Sequence, residues 1–313
     1  DAPAIVTDGA NASISGSATS TGSFGTLRLK DDVMIGKFGS NNFVFAKEGD
    51  QPFGGGSSNI AIGNDVLGDQ GPTTGDTNVA IGSRSLRYLT SGGNNVGIGA
   101  SAFNFLTDHS HNIGLGLYAG YAVKGEYNVF IGGYAGFGGR DVSPYTDVDN
   151  NVGIGNRALN IVLNSNNVAV GYYAGKNATS GSGNTFIGSQ AGEGSTSAPF
   201  GTGGSNTFIG ASAGKAFTTG ANNAAFGASA MLFNTSGNYN TSIGAQSMKA
   251  NTTGGANTAL GYAAGFGLQT GNYNVIIGNG AGYSLAGVSN AVLVGNYAGY
   301  NINSTDANST VAV

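Results

Sequence analysis

The chain has 313 residues, of which 58 are glycine, none is cysteine and only 9% are charged, with a net charge of −4 at neutral pH. Lacking cysteine, it has no disulfides, thiolate metal sites or thiol nucleophiles, and a charge-poor acidic chain offers no basic stripe to neutralise nucleic-acid phosphates. No run approaches the ~18 consecutive apolar residues of a membrane-spanning helix, and the glycines lack the Gly-X-Y period of collagen.

In chain order, residues 1–50 hold a Gly/Ser/Thr-rich leader, Ser15 to Gly25, and three strand candidates, Thr26–Leu29, Val33–Gly36 and Phe43–Ala46. They read as a small β cap or connector, since an open solenoid end is an unpaired sheet edge. Residues 51–300 form a repeat array, and 301–313 a continuation or tail.

The repeat is Asn, two variable residues, an aliphatic residue or Phe, Gly, two variable residues and Ala. It begins at Asn59, Asn78, Asn95, Asn112, Asn128, Asn151, Asn167, Asn184, Asn206, Asn223, Asn240, Asn257 and Asn274, with a last copy at Ala291, behind the displaced Asn290. The fourteen copies lie 16 to 23 residues apart, most often 17. Glycine at this period, with Gly-Asn and Ser-Gly turn signals, is incompatible with helices. A fixed period of this size predicts an all-β fold, a parallel β-solenoid of about fourteen coils with two short strands in each.

With the Asn counted as position zero, each column is an environment. Asn78, Asn95, Asn184 and Asn257 belong to a column suited to a side-chain ladder between coils. Position three, which includes Ile81, is apolar in every copy and reads as a buried ladder. Position four is Gly in all fourteen, among them Gly82, Gly99, Gly188 and Gly261, which points to a corner with positive φ or to close approach of a neighbouring strand. Position seven is Ala in eleven copies, with Val66, Ser85 and Ser247 as exceptions. Position two alternates with three and carries only Ser242 as a polar residue. Both faces of the strand are therefore expected to be buried, one inside the coil and one against another chain, a column that calls for a partner without counting partners.

Segments such as Asn78-Val-Ala-Ile-Gly82, Asn167-Val-Ala-Val-Gly171 and Asn257-Thr-Ala-Leu-Gly261 resemble the Asn-Ser-Val-Ala-Ile-Gly repeat of trimeric autotransporter adhesin heads. That likeness implies a left-handed parallel β-roll in which three chains share a core, and so an intertwined or side-by-side homotrimer. Adhesin-head repeats are somewhat shorter, and here Ala-Gly often follows, as in Tyr118-Ala-Gly120 and Tyr173-Ala-Gly175. In this the chain is similar to phage tail fibres, whose arrays and Ser/Thr/Gly linkers also resemble the leader. The resemblance implies a structural fibre of a virion, or of a cell surface, that holds a surface attached to a host glycan or protein receptor and contacts other tail proteins.

Three longer intervals contain the insertions Asp69–Asp76, Phe137–Asn150 and Glu193–Ser205, which map to surface loops suited to receptor contact. Position six is the most polar and aromatic column. Its Tyr118, Tyr134, Arg157, Tyr173 and Tyr297, with Arg140 and Tyr145 of the second insertion, are the receptor-binding candidates, because exposed tyrosine stacks on sugar rings. His109 and His111 form a His-x-His that a parallel trimer would multiply into six imidazoles around a metal, yet His111 occupies the turn column that holds Tyr127, Tyr239 and Tyr273 elsewhere. Sparse acids and two histidines supply no recognisable catalytic set and no cofactor site. The leading expectation is a non-enzymatic tail-fibre segment. Its rivals are a bacterial adhesin head or extracellular filament, a polysaccharide-degrading tailspike and, more distantly, an ice-binding solenoid, for which regular Thr-x-Thr rows are missing.

Overall fold

The fold comes from a computed structural model that describes residues 27–29, 33–38, 42–47, 56–68, 73–138, 147–195, 201–302 and 310–313. It is all-β. Strands β1 (Leu27–Leu29), β2 (Val33–Phe38) and β3 (Asn42–Lys47) form an antiparallel meander, and β3 then pairs in parallel with β4 (Ile60–Gly63). From β4 to β17 (Val292–Val294) each repeat supplies one short strand, and β18 (Val311–Ala312) pairs with β17. Sixteen parallel strands thus stack into a β-solenoid of about 14 turns with a period of ~17 residues. At about 4.8 Å per coil the array is about 70 Å long.

The Asn column is a continuous hydrogen-bonded ladder. Asn95 donates its backbone N–H to Asn78 Oδ1 at 2.9 Å, and its Nδ2 to the same oxygen at 3.1 Å and to the His109 carbonyl at 2.9 Å. Its own Oδ1 accepts from the N–H and Nδ2 of Asn112, at 3.0 and 3.1 Å. One amide side chain therefore satisfies buried groups of three successive coils, each of which would cost about 1–3 kcal/mol if left unpaired. The ladder starts a coil earlier than the repeat reading: Asn42 of β3 accepts from Asn59 N–H at 2.8 Å. It ends where Ala291 N–H donates to Asn274 Oδ1 at 2.9 Å.

Position four needs glycine for both expected reasons. Its φ lies between +119° and +142° in all fourteen coils, and a Cβ on Gly82 would sit 2.8 Å from the carbonyl of Gly99 in the next coil.

The faces of the strand are opposite to the expectation. Position two points inward: Ala61, Ala80, Phe130, Ala169, Phe186, Phe208, Ile276 and Leu293 are fully buried within their own chain. Positions one and three point outward, and Ile98, Ile187, Ile243 and Leu260, expected in the buried ladder, are 38 to 45% exposed. The reason is the Asn: once its amide is held inside, alternation places position two beside it and positions one and three outside. An apolar position two therefore says nothing of a partner, and the unpartnered apolar stripe is that of positions one and three.

Among the described residues the expected second strand is also absent; positions four to eleven are consecutive turns. Ala119 N–H bonds the Gly116 carbonyl, Tyr121 that of Tyr118 and Val123 that of Gly120, at 3.2, 3.3 and 3.2 Å. The third residue of the first two turns, at positions six and eight, has positive φ, as type II geometry requires. All positive-φ non-glycine residues among the described ones fall at position six, position eight or the position before the Asn.

The core between strand and turns holds a constant volume by exchange. Where position two is large (Phe130, Phe186, Phe208, Ile276, Leu293), position eight of the same coil is Gly; where position eight is Leu, Phe or Met (Leu67, Leu86, Phe103, Leu159, Met231, Met248), position two is Ala, Gly or Ser. Gly120, Gly175 and Gly265 face a large side chain from an adjoining coil instead; a Cβ on Gly175 would lie 2.7 Å from the Phe186 ring.

Candidate binding flank

Position five and most residues of positions six, nine and ten project from the turn side of the coil, with positions seven, eight and eleven inward between them; Ser101, Asn104, Ala122, Asn177, Glu193 and Ala263 are buried exceptions. The turn geometry fixes where they point. Position six is held left-handed by a backbone bond to the preceding coil, as when Tyr118 N–H donates to the Ala100 carbonyl at 2.9 Å. Inter-coil pairing then repeats the direction, so side chains of equal or neighbouring position stack along the rod.

One run of rings links Tyr88, Phe105, Tyr121 and Phe137, with centroid separations of 5.2, 5.1 and 5.2 Å. Tyr118 and Tyr134 of position six join it, 5.1 Å apart and 5.1 and 5.4 Å from Tyr121 and Phe137. The Arg157 guanidinium continues the column, 5.4 Å from the Tyr134 centroid and 5.7 Å from that of Tyr173, and it donates to the Tyr173 hydroxyl at 3.1 Å. Lys176 Nζ lies 4.4 Å from the Tyr173 centroid. Four of the expected receptor residues, Tyr118, Tyr134, Arg157 and Tyr173, therefore form one strip. Tyr297 stands apart, against Tyr300 at 5.3 Å in a second run that includes Tyr283 and Phe266. Between the runs the same flank opens into a hollow of about 600 Å³ lined by residues that include Glu193, Lys215 and Phe233.

Tyr172 stacks on Tyr173 at 3.9 Å. Their hydrogen bond raises Tyr172 above the ordinary tyrosine value and lowers Tyr173 below it, and the charges of Arg157 and Lys176 add to the lowering.

Charge is segregated around the coil. Of the cations in the described coils, Arg84, Arg87, Arg157, Lys176, Lys215 and Lys249 lie at positions six and nine, and only Lys124 lies elsewhere. Asp65 and Glu193 are on the same flank, where they pair with Arg84 and Lys215 at 3.5 and 3.6 Å. The other described carboxylates of the coils, Asp76, Asp108, Glu126, Asp147 and Asp149, all lie within four residues before an Asn rung. A net charge of −4 concealed this separation.

His109 and His111 have different neighbours. His109 lies between carboxylates, with Nδ1 3.1 Å from Asp108 Oδ1 and Nε2 3.7 Å from Asp147 Oδ1. The Thr107 hydroxyl, and after it His109, hold Asp108 below the ordinary carboxylate value. His111 stacks on Tyr127 at 4.9 Å, in the turn column. Among the described residues no three His, Asp or Glu side chains are disposed to hold a metal ion. Arg140 and Tyr145 lie outside the described residues, as do residues 69–72, 139–146 and 196–200 of the three insertions.

The sequence reading missed positions nine and ten. The recurrence of Tyr121, Phe137, Phe266, Tyr283 and Tyr300 at position nine was available as a signal. Comparison with protein-family models, curated proteins and solved structures finds no match.

Proposed function

We propose that this chain is a passive, self-associating rod segment of an attachment fibre, of the phage tail-fibre kind, whose aromatic flank contacts host surface glycan. The carrying observation is an uninterrupted solenoid of about 70 Å with two distinct stripes along its length. The outward columns one and three are one stripe. Position three is apolar in every coil, and position one is Val, Ile, Ala or Thr. Together they make a continuous apolar stripe along the whole rod, whereas a monomer usually leaves only a few hundred Å² of contiguous apolar surface exposed. Self-association through this face accounts for it, and the likeness of the repeats to adhesin heads supports three chains.

The flank of Tyr118, Tyr134 and Tyr173 is the second stripe, separated from the first by the glycine corner. Half-exposed rings aligned along the rod suit the C–H faces of sugars, with Tyr hydroxyls beside them for hydrogen bonds. In this reading the rod holds its flank away from the particle or cell, and the location is virion or cell surface. A bacterial adhesin head is the second reading, favoured by the Asn-Val-Ala-Ile-Gly segments themselves.

The test is retention of the purified chain on intact bacteria and on immobilised surface polysaccharides. Wild type is expected to be retained, and the triple variant Tyr118→Ala, Tyr134→Ala, Tyr173→Ala to lose at least tenfold in affinity while keeping its circular dichroism. Equal retention of the two proteins contradicts the assignment of the flank.

A further inference from the structure

The aromatic strip is not chemically neutral, and its cations have an unusual setting. Arg157 is clamped between the rings of Tyr134 and Tyr173 and fixed by its bond to the Tyr173 hydroxyl. Lys176 lies over the ring of the same coil's Tyr173, on which Tyr172 also stacks. Among the described residues neither has a carboxylate within ion-pair distance, whereas Arg84 and Lys215 on the same flank do. A half-buried guanidinium that has lost part of its hydration and has no anion is a site for one. The clamp also removes most of the rotamer entropy that Arg would lose on binding.

We propose that this flank binds a linear acidic polysaccharide lengthwise, its sugar rings on Tyr118 and Tyr134 and a carboxylate on Arg157 and Lys176. The proposal rests on the glycan-binding reading above and narrows it to a charge class and a direction. The direction follows from the repeat: successive coils present equivalent side chains about every 4.8 Å, close to the length of one pyranose unit in an extended chain. Each unit can then meet an equivalent position of the next coil. The charge class follows from the local balance, because two cations with no ion-pair partner among the described residues, beside the rings of Tyr118, Tyr134 and Tyr173, match a polymer with occasional carboxylates. A polynucleotide is a poorer fit: it bears a phosphate on every unit and would be repelled by the carboxylates before the Asn rungs and the net charge of −4.

The test titrates the full chain with hyaluronan and unsulfated chondroitin, in which every second sugar bears a carboxylate, with the carboxyl-reduced form of each, with a neutral dextran and with a single-stranded oligonucleotide. At least one acidic polysaccharide is expected to bind at least tenfold more tightly than its carboxyl-reduced form. The preference should shrink at least fivefold in the double variant Arg157→Gln, Lys176→Gln and in high salt. That variant should keep the wild-type circular dichroism. Equal affinity for acidic and reduced polymers overturns the charge assignment and leaves the glycan reading standing. Failure of every polysaccharide to bind the folded chain overturns both, and tighter binding of the oligonucleotide assigns the strip to nucleic acid instead.

Discussion

Ser242 and Ser247 interrupt two otherwise small or apolar columns, and they meet. Ser242 Oγ donates to the Ser247 carbonyl at 2.9 Å, the two hydroxyls face each other, and Ser247 Oγ reaches the Gly244 carbonyl at 2.9 Å. Both residues are fully buried. Position two accepts a hydroxyl in this coil because position seven supplies its partner.

Their energies should therefore be coupled. Replacing both by Ala removes two buried polar groups together and is expected to cost less than the sum of the single replacements, by about 0.5–1.5 kcal/mol. Denaturant unfolding of the four proteins of the cycle measures this; strict additivity would contradict the pairing.

Two substitutions two residues apart should act in opposite directions. Gly227→Ala forces a Cβ to 2.6 Å from the Gly244 carbonyl at a φ of +139° and should cost about 3 kcal/mol or more. Ser229→Gly relieves a left-handed serine at φ +56°. After the entropy cost of glycine it should stabilise by a few tenths to about 1 kcal/mol. The shift in denaturation midpoint reads both signs.

The exchange between positions two and eight predicts a reversal. Gly214→Leu alone drives a side chain into the Phe208 ring and should destabilise, since even a Cβ there would lie 2.6 Å from Phe208 Cγ. Phe208→Ala leaves a cavity worth about 3–5 kcal/mol. Added to that variant, Gly214→Leu should restore about 1–2 kcal/mol net of left-handed strain, reproducing the pairing of Ala80 with Leu86. Thermal unfolding of the three variants tests the sign change.

Tyr173 should ionise before the other tyrosines. The hydrogen bond with Tyr172, then Arg157 and Lys176, favours its phenolate, while Tyr172 is shifted the other way. In an alkaline absorbance titration the earliest phenolate signal is expected to vanish in Tyr173→Phe. In Arg157→Gln it should move up towards the ordinary tyrosine value. An unchanged first transition in Tyr173→Phe contradicts this.

The period, the Asn ladder and the glycine corner were legible because each reflects a requirement one residue type meets: an amide with donor and acceptor for Asn95, or positive φ without a Cβ for Gly82. The inside of the strand was harder. Alternation separates position two from one and three but does not say which is interior, and Ile81 and Ala80 are both apolar. The deciding signal was compensation: Phe130 with Gly136, against Ala80 with Leu86, is the mark of a fixed interior volume. Val, Ile and Thr repeating without compensation mark an outer face. The turns after the corner were hidden because Arg157, Tyr173 and Met231 occupy left-handed positions that their side chains do not announce. Inter-coil hydrogen bonds impose that conformation, and with it the direction of the aromatic flank.

Self-association through columns one and three is tested most directly by the native mass of the purified chain at micromolar concentration. The expected result is three times the mass of one chain, falling to one in the variant Ile187→Lys, Ile209→Lys, Ile243→Lys with the β-rich circular dichroism retained. A wild-type monomer, or a variant that remains a trimer, would contradict it.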